Sequence, residues 1–265
     1  MKIFNTILNN PKKTSIIGVI VMLVFLGIGI VKDWQPLDEP MGMGVSAPSH
    51  SAGSTGNALV GYWSMDSSDV IGQVLEDKSG NYNNGTSANT PVYAKDQAGV
   101  PNQAMVFNGS TDYVDLGADK PSDLTGDITI SAWINAESLG ENNNGRIIDN
   151  EKLVFAMSSS NNKLYFTSSG SSFPVSADNS IPFNNWIHCL VTRTSAGTNT
   201  NIYINGVLSG DANQDSGTPT SGTTNTFIGN NDAGTRTFDG QISGMKIWNR
   251  VLSSTEITKL YNLEK

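Results

Sequence analysis

The sequence predicts an all-β fold, an antiparallel two-sheet jelly-roll sandwich, and three observations carry that reading. Ser, Thr, Asn and Gly make up about two-fifths of the 265 residues while only 15% are charged, a composition that suits short strands joined by polar turns rather than helices rich in Ala, Leu, Glu and Lys. Runs with period-two alternation recur between turn clusters from residue 59 onward, and no helical segments alternate with them. The segment NIYINGVL sets Asn205-Gly206 between two β-rich runs. That dipeptide is a strong hairpin signal, because a type I′ turn needs positive φ at both central residues.

The predicted strands fall, in order, at 59–65, 104–107, 113–116, 128–135, 146–149, 153–157, 163–167, 186–193, 201–204, 226–228 and 241–248. In ITISAWIN, Ile128, Ile130, Ala132 and Ile134 share one face, and Thr129, Ser131, Trp133 and Asn135 share the other, so the first set faces the core. Only the C-terminus reads as helix. Ser253 is placed to cap it, Glu256 falls where a capping box needs a carboxylate, and Ile257, Leu260 and Tyr261 repeat at helical spacing.

Ahead of the sandwich, residues 14–31 are uncharged and almost wholly apolar. A rise of about 1.5 Å per residue brings this run close to a hydrocarbon core of about 30 Å. Lys2, Lys12 and Lys13 precede it, and Asp33, Asp38 and Glu39 follow. The positive-inside rule then predicts a short cytoplasmic segment at 1–13, a transmembrane anchor helix at 14–31, and the rest of the chain extracytoplasmic or at the cell surface. A cleaved signal peptide is the competing reading, but no A-x-A pattern follows Val31. Residues 32–57, rich in Pro, Gly and Ser, read as a linker leading to a domain at 58–265.

Charge and cysteine count exclude several functions. The net charge is −8, and it becomes more negative without the lysine-rich N-terminal segment, so nucleic acid is not an expected partner. A single cysteine, Cys189, allows no intramolecular disulfide, and two histidines offer no zinc-type set. His188 has no G-x-S-x-G elbow with it and reads as a packed, hydrogen-bonded histidine; Cys189 reads as a small buried hydrophobe.

The pieces LVGYWSMD, LEDKSGNYNNGT, AMVFNGSTDYVDLG, DITISAWIN, NNWIHCLVTR, NIYINGV, TFIGNN and FDGQISGMKIWNRVLSSTEITKLYN, in that order, resemble the laminin-G-like members of the concanavalin A-like lectin/glucanase superfamily. The resemblance spans residues 59 to 263. It implies two curved antiparallel sheets, a fold found in carbohydrate-binding modules, adhesion proteins and polysaccharide-cleaving enzymes. It also implies one structural calcium ion, with Asp66, Gly109 and Asp239 at the matching positions. Calcium takes about six to eight oxygen ligands, so carboxylates and carbonyls gathered from distant loops suit it. Asp66 and Asp239 equally fit ordinary turn roles. Asp69, Asp77, Asp112 and Asp115 are weaker alternatives.

Related glycoside hydrolases carry E-x-D-x-x-E on one strand, since a retaining mechanism needs two carboxyl groups about 5 Å apart. The nearest match is RIIDNEK, where Asp149 takes the central place but Ile147 and Lys152 hold the glutamate positions and Glu151 is one residue off. The glutamate pair is absent, and catalysis is not expected.

Sugar rings present apolar faces rimmed by hydroxyls, so a binding face needs aromatic platforms with polar neighbours. Trp133, Tyr165, Phe173 and Arg146 are the candidates, although aromatics at strand positions also fill cores. Loops 140–144, 158–162 and 211–235 are expected to set specificity. The expected function is a membrane-anchored, non-catalytic module binding a glycan or a cell-surface protein. A filament subunit self-assembling through the N-terminal helix, where Gly18, Gly27 and Gly29 permit close packing, and a polysaccharide-cleaving enzyme are the alternatives.

Overall fold

The computed structural model describes residues 58–118, 125–169 and 171–265. These form the strands β1 (Leu59–Trp63), β2 (Val70–Ile71), β3 (Val74–Leu75), β4 (Gly85–Ser87), β5 (Val92–Ala94), β6 (Ala104–Asn108), β7 (Val114–Gly117) and β8 (Ile128–Ala136). They continue with β9 (Arg146–Asp149), β10 (Val154–Met157), β11 (Leu164–Thr167), β12 (Ile187–Arg193), β13 (Thr200–Ile204), β14 (Val207–Leu208), β15 (Thr226–Ile228) and β16 (Asp239–Trp248), followed by the helix α1 (Ser254–Glu264).

The strands make two antiparallel sheets. The first runs β14-β13-β12-β8-β16-β6-β5, with β1 also paired to β16; the second runs β11-β10-β9-β15-β7-β4-β3-β2. The alternation read from ITISAWIN holds. Ile128, Ile130, Ala132 and Ile134 pack into one core with Ile148, Phe155 and Phe166 of the second sheet. The Asn205-Gly206 turn joins β13 to β14, with φ of 51° and 77° at its two residues, as a type I′ turn requires.

The strands β2 to β5, of only two or three residues each, are too short to show a period and were not expected. Fixed side chains position the loops between them. Asp77 is buried and accepts hydrogen bonds from the amides of Tyr62, Ser79 and Asn83, which ties the 77–84 loop to β1.

The helix α1 begins as its sequence predicts. Ser253 Oγ accepts from the Glu256 amide, and the Glu256 carboxylate accepts from the Ser253 amide. Arg250 pairs with Glu256 at 2.6 Å and, with the cap, lowers the Glu256 pKa to about 2. Ile257 and Leu260 pack with Leu190, Trp248 and Leu252 in a second, smaller core, which lays the helix over the outer face of the first sheet.

The expected membrane location is corrected. Among the described residues no helix is long and apolar enough to cross a membrane; α1 has 11 residues, where a span needs about 20. The expected cytoplasmic segment 1–13, anchor 14–31 and linker 32–57, and with them self-assembly through the N-terminal helix, lie outside the described residues. The reading of a membrane-anchored protein with its N-terminus in the cytoplasm is therefore withdrawn.

Candidate functional site

The outer face of the second sheet gathers three of the four expected ligand residues. Its register places Ala156 of β10 opposite both Arg146 of β9 and Tyr165 of β11. Because Ile148, Phe155 and Phe166 point into the core, Asp149 and Tyr165 point outward by alternation, and a β-bulge in β9, where Ile147 and Ile148 both enter the core, returns Arg146 to the same outer face. Phe173, in the segment after β11, is 54% exposed and meets the Tyr165 ring edge-on at 5.7 Å between centroids.

Arg146 organises this cluster. Its Nε donates to Asp149 Oδ2 at 2.6 Å and its Nη1 to Asn144 Oδ1 at 2.6 Å and to the Tyr165 hydroxyl. The guanidinium also lies 5.9 Å from the Tyr165 ring centre. Asp149 accepts a second bond from the Glu151 amide at 2.7 Å, so both carboxylate oxygens are engaged. Burial pushes the Asp149 pKa up, against the pull of Arg146. Burial likewise raises Tyr165.

The row continues across the sheet through residues not anticipated from the sequence. Phe227 of β15 stands opposite both Asp149 and Asp115 of β7, and Tyr113 meets the Phe227 ring edge-on at 5.5 Å. Thr86 of β4 pairs with Asp115 and is exposed. The signal for Tyr113 was present, since Val114 and Leu116 are buried and strict alternation turns Tyr113 and Asp115 outward.

Loops rise on both sides of this row, at the two ends of its strands. The 140–144 loop meets the 231–236 loop where Asn142 Nδ2 donates to Thr235 O at 3.0 Å, and the end of β10 is tied beside them by the Met157 amide, which donates to Gly145 O. At the other end Thr220 bonds to Ser168 and Thr223 to Glu151. Of the loops expected to set specificity, 140–144 and parts of 211–235 border the face, while the 158–162 turn bonds instead to the 178–181 segment.

Trp133 is not there. It is 4% exposed, on the outer face of the first sheet beneath α1, stacked on Tyr261 at 5.8 Å and donating from Nε1 to Glu264 Oε2 at 3.2 Å. His188 lies beside it, fully buried, with neither ring nitrogen hydrogen-bonded. The expectation of a hydrogen-bonded histidine is thus corrected. Glu264 Oε2 stands 4.0 Å away, and burial lowers the His188 pKa to about 4. Cys189 is buried on the core side, its thiol pushed up to about 12, which leaves no thiolate for chemistry at neutral pH.

The three expected calcium ligands do not converge. Gly109, with φ of 68°, lies against Asp239, so that a side chain there would meet the Asp239 carboxyl at 3.1 Å; Asp239 also accepts from Ser138 Oγ at 2.6 Å. Asp66 sits at the far end of β6. It caps Ser68, whose neighbour Ser67 bonds to Asn102, whereas Asp239 pairs with Asn108, roughly 20 Å further along an extended chain. Two residues fall well short of calcium's ligand number. Asp69, Asp77, Asp112 and Asp115 spend their carboxylates on protein donors, and among the described residues no three His, Cys, Asp or Glu cluster to hold a metal.

At the position of the glycosidase motif, Ile147 is a core residue. Glu151, at φ of 78°, pairs with Lys152 at 2.8 Å rather than facing Asp149 across a cleft.

A family model of laminin G type, described as the concanavalin A-like lectin/glucanases superfamily, matches residues 108–258, more than half of the chain. The chain belongs to the concanavalin A-like lectin/glucanases superfamily. Among solved structures, domain 4 of an extracellular arabinanase from Geobacillus stearothermophilus, in complex with arabinotriose, has a TM-score of 0.57 at 20% identity, over 77% of this chain and 98% of that one. A Trypanosoma rangeli sialidase matches at 0.59 with 15% identity, over 78% of this chain and 33% of the sialidase. A botulinum neurotoxin serotype D binding domain matches at 0.56 with 15% identity, over 78% of this chain and 51% of that one. At these identities the likeness concerns the fold. The superfamily fold is thus shared by glycoside hydrolases and binding domains. No curated protein matches the chain.

Proposed function

We propose that the chain is a carbohydrate-binding module that engages its ligand on the outer face of the second sheet and does not cleave it. The observation that carries this reading is the convergence of Phe173, Tyr165 and Arg146 on one outward face. An exposed ring beside a half-buried ring gives a platform for the apolar face of a sugar, and the Tyr165 hydroxyl, Asn144 and the guanidinium edge supply polar partners for its rim of hydroxyls. The solved arabinanase domain, whose structure holds arabinotriose, supports the ligand class through shared fold only.

The carboxylates support binding without turnover. Acid–base cleavage needs two carboxyl groups facing one bond, and on this face Asp149 is committed to Arg146 and the Glu151 amide while Glu151 is tied to Lys152 and Thr223.

The test is calorimetric titration of the full chain with a panel of oligosaccharides, with chromatography of the same mixtures for shortened products. We expect saturable binding that Phe173→Ala weakens about tenfold, ~1.4 kcal/mol, and intact sugars after long incubation. Turnover abolished by Asp149→Asn would replace this reading with an enzyme. Full affinity retained in Phe173→Ala would remove the face from the ligand path.

A further inference from the structure

We propose that the ligand of this face is an uncharged oligosaccharide and that the face rejects chains bearing carboxylates or sulfates; this rests on the reading of the face as a sugar site. The cation at its centre is already charge-paired, with only its outer edge left to donate. Arg146 gives Nε to Asp149, and Nη1 to Asn144 and to the Tyr165 hydroxyl, and the Arg146 and Asp149 side chains are 12% and 5% exposed. An incoming anion would have to compete with a buried charge pair, and breaking such a pair leaves one partner uncompensated.

Among the described residues the remaining charges on and beside the row are mainly acidic or matched: the 231–236 loop brings Arg236, whose carbonyl accepts from the Arg146 amide, but also the exposed Asp232, and Glu141 lies beside them on Thr237. Asp115, next to Phe227, has only neutral donors, the Gly117 amide and Asn225 Nδ2. Lys152 is held by Glu151, and Lys163, just before β11, by Asp178. The row therefore sums to a negative field into which an anionic sugar enters against repulsion, in a chain of net charge −8.

The same geometry states what the face offers instead. Because the Tyr165 oxygen accepts from Arg146, its own hydrogen is directed elsewhere and can be donated to a sugar oxygen. Arg146 acts here as a positioning residue for Tyr165, and stacking on Phe173 is indifferent to charge.

The experiment titrates the full chain with neutral arabino-, xylo- and gluco-oligosaccharides and with oligogalacturonate of matched length. Each is run at about 0.01 M and about 1 M salt, where the screening length is about 30 Å and about 3 Å. The expected result is a neutral oligosaccharide whose affinity changes less than about twofold between the two salts, with oligogalacturonate at least about tenfold weaker. Thr86→Lys, an exposed change beside Asp115, should then strengthen oligogalacturonate binding at low salt severalfold and leave the neutral sugar unchanged. Oligogalacturonate binding tighter than every neutral sugar, weakened by salt and lost in Phe173→Ala, would overturn the inference while leaving the face a sugar site. No binding of either class, or binding indifferent to Phe173→Ala, would overturn both.

Discussion

The two outer faces of the sandwich are built on similar lines, and one is covered while the other stays open. The face of the first sheet presents Trp133, His188 and Lys246, and α1 seals them in. The face of the second sheet presents Arg146, Tyr165 and Phe227, with Phe173 exposed beside them, and among the described residues no helix packs on it. Each has aromatics around a cation–carboxylate pair: Lys246 with Glu264 at 2.8 Å on one, Arg146 with Asp149 at 2.6 Å on the other. Coverage, rather than residue type, separates a fastening from an open face.

Beneath α1 the charges explain each other. Burial works to lower the Lys246 pKa, but the charge and hydrogen bond of Glu264, with a charge contribution from Tyr62, hold it above the usual lysine value, and its Nζ lies 4.6 Å from the Tyr62 ring centre. Burial works to raise Glu264, yet Lys246 and His188 hold it below the usual carboxylate range. The last turn of α1 is thereby clamped to β8, β12 and β16.

The comparison can be broken most directly at the clamp. Trp133→Ala should cost about 3–5 kcal/mol in urea unfolding, as for other buried large aromatics. Lys246→Met should cost a similar ~3–5 kcal/mol by stranding Glu264, and the double change Lys246→Met with Glu264→Leu should recover most of that loss. A cost under about 1 kcal/mol for either single change would mean that the covered face is not structural.

Acid should loosen the covered face next. A buried histidine with its pKa lowered to about 4 binds fewer protons than the unfolded chain between that value and about 6.5. Stability therefore falls as pH drops through this window, by about 3 kcal/mol in all. Glu264, with a lowered pKa, adds to the loss below its unfolded value. Urea midpoints across pH should show the slope, and His188→Leu should flatten the part above pH ~4.5; an unchanged slope would assign it to other groups.

On the open face the pattern should invert. Phe173→Ala should leave unfolding within about 1 kcal/mol of the parent while weakening sugar binding about tenfold. A large stability loss with unchanged binding would make the two faces alike. The smallest effect is expected for calcium. Chelator should shift the thermal midpoint by less than about 2 °C, since only Gly109 and Asp239 of the three expected positions meet. A larger rise with calcium that Asp239→Ala removes would show that backbone oxygens complete a site there.

Much of this architecture was legible in the residues. Alternation identified β8 and β12 and turned the right side chains to the core, Asn205-Gly206 marked its hairpin, and Ser253 with Glu256 marked the start of α1. These are local signals, set by side-chain period, by the φ a turn demands and by an amide that needs an acceptor. Arg146, Tyr165 and Phe173 were selected by chemistry alone, and the second sheet brings them together.

What the sequence determined by itself was the all-β class, the hairpin, the capped helix and which residues share a face in the regular strands β8 and β12. Tertiary structure alone decided which outer face α1 would cover, and so why Trp133 is a strut and Phe173 is exposed. It also decided that Asp66 and Asp239 stand at opposite ends of β6, and that Tyr113 and Phe227 extend the row. The reason is physical: period and turn chemistry act over a few residues, whereas coverage and convergence depend on pairing between strands far apart in the chain, which no local pattern encodes.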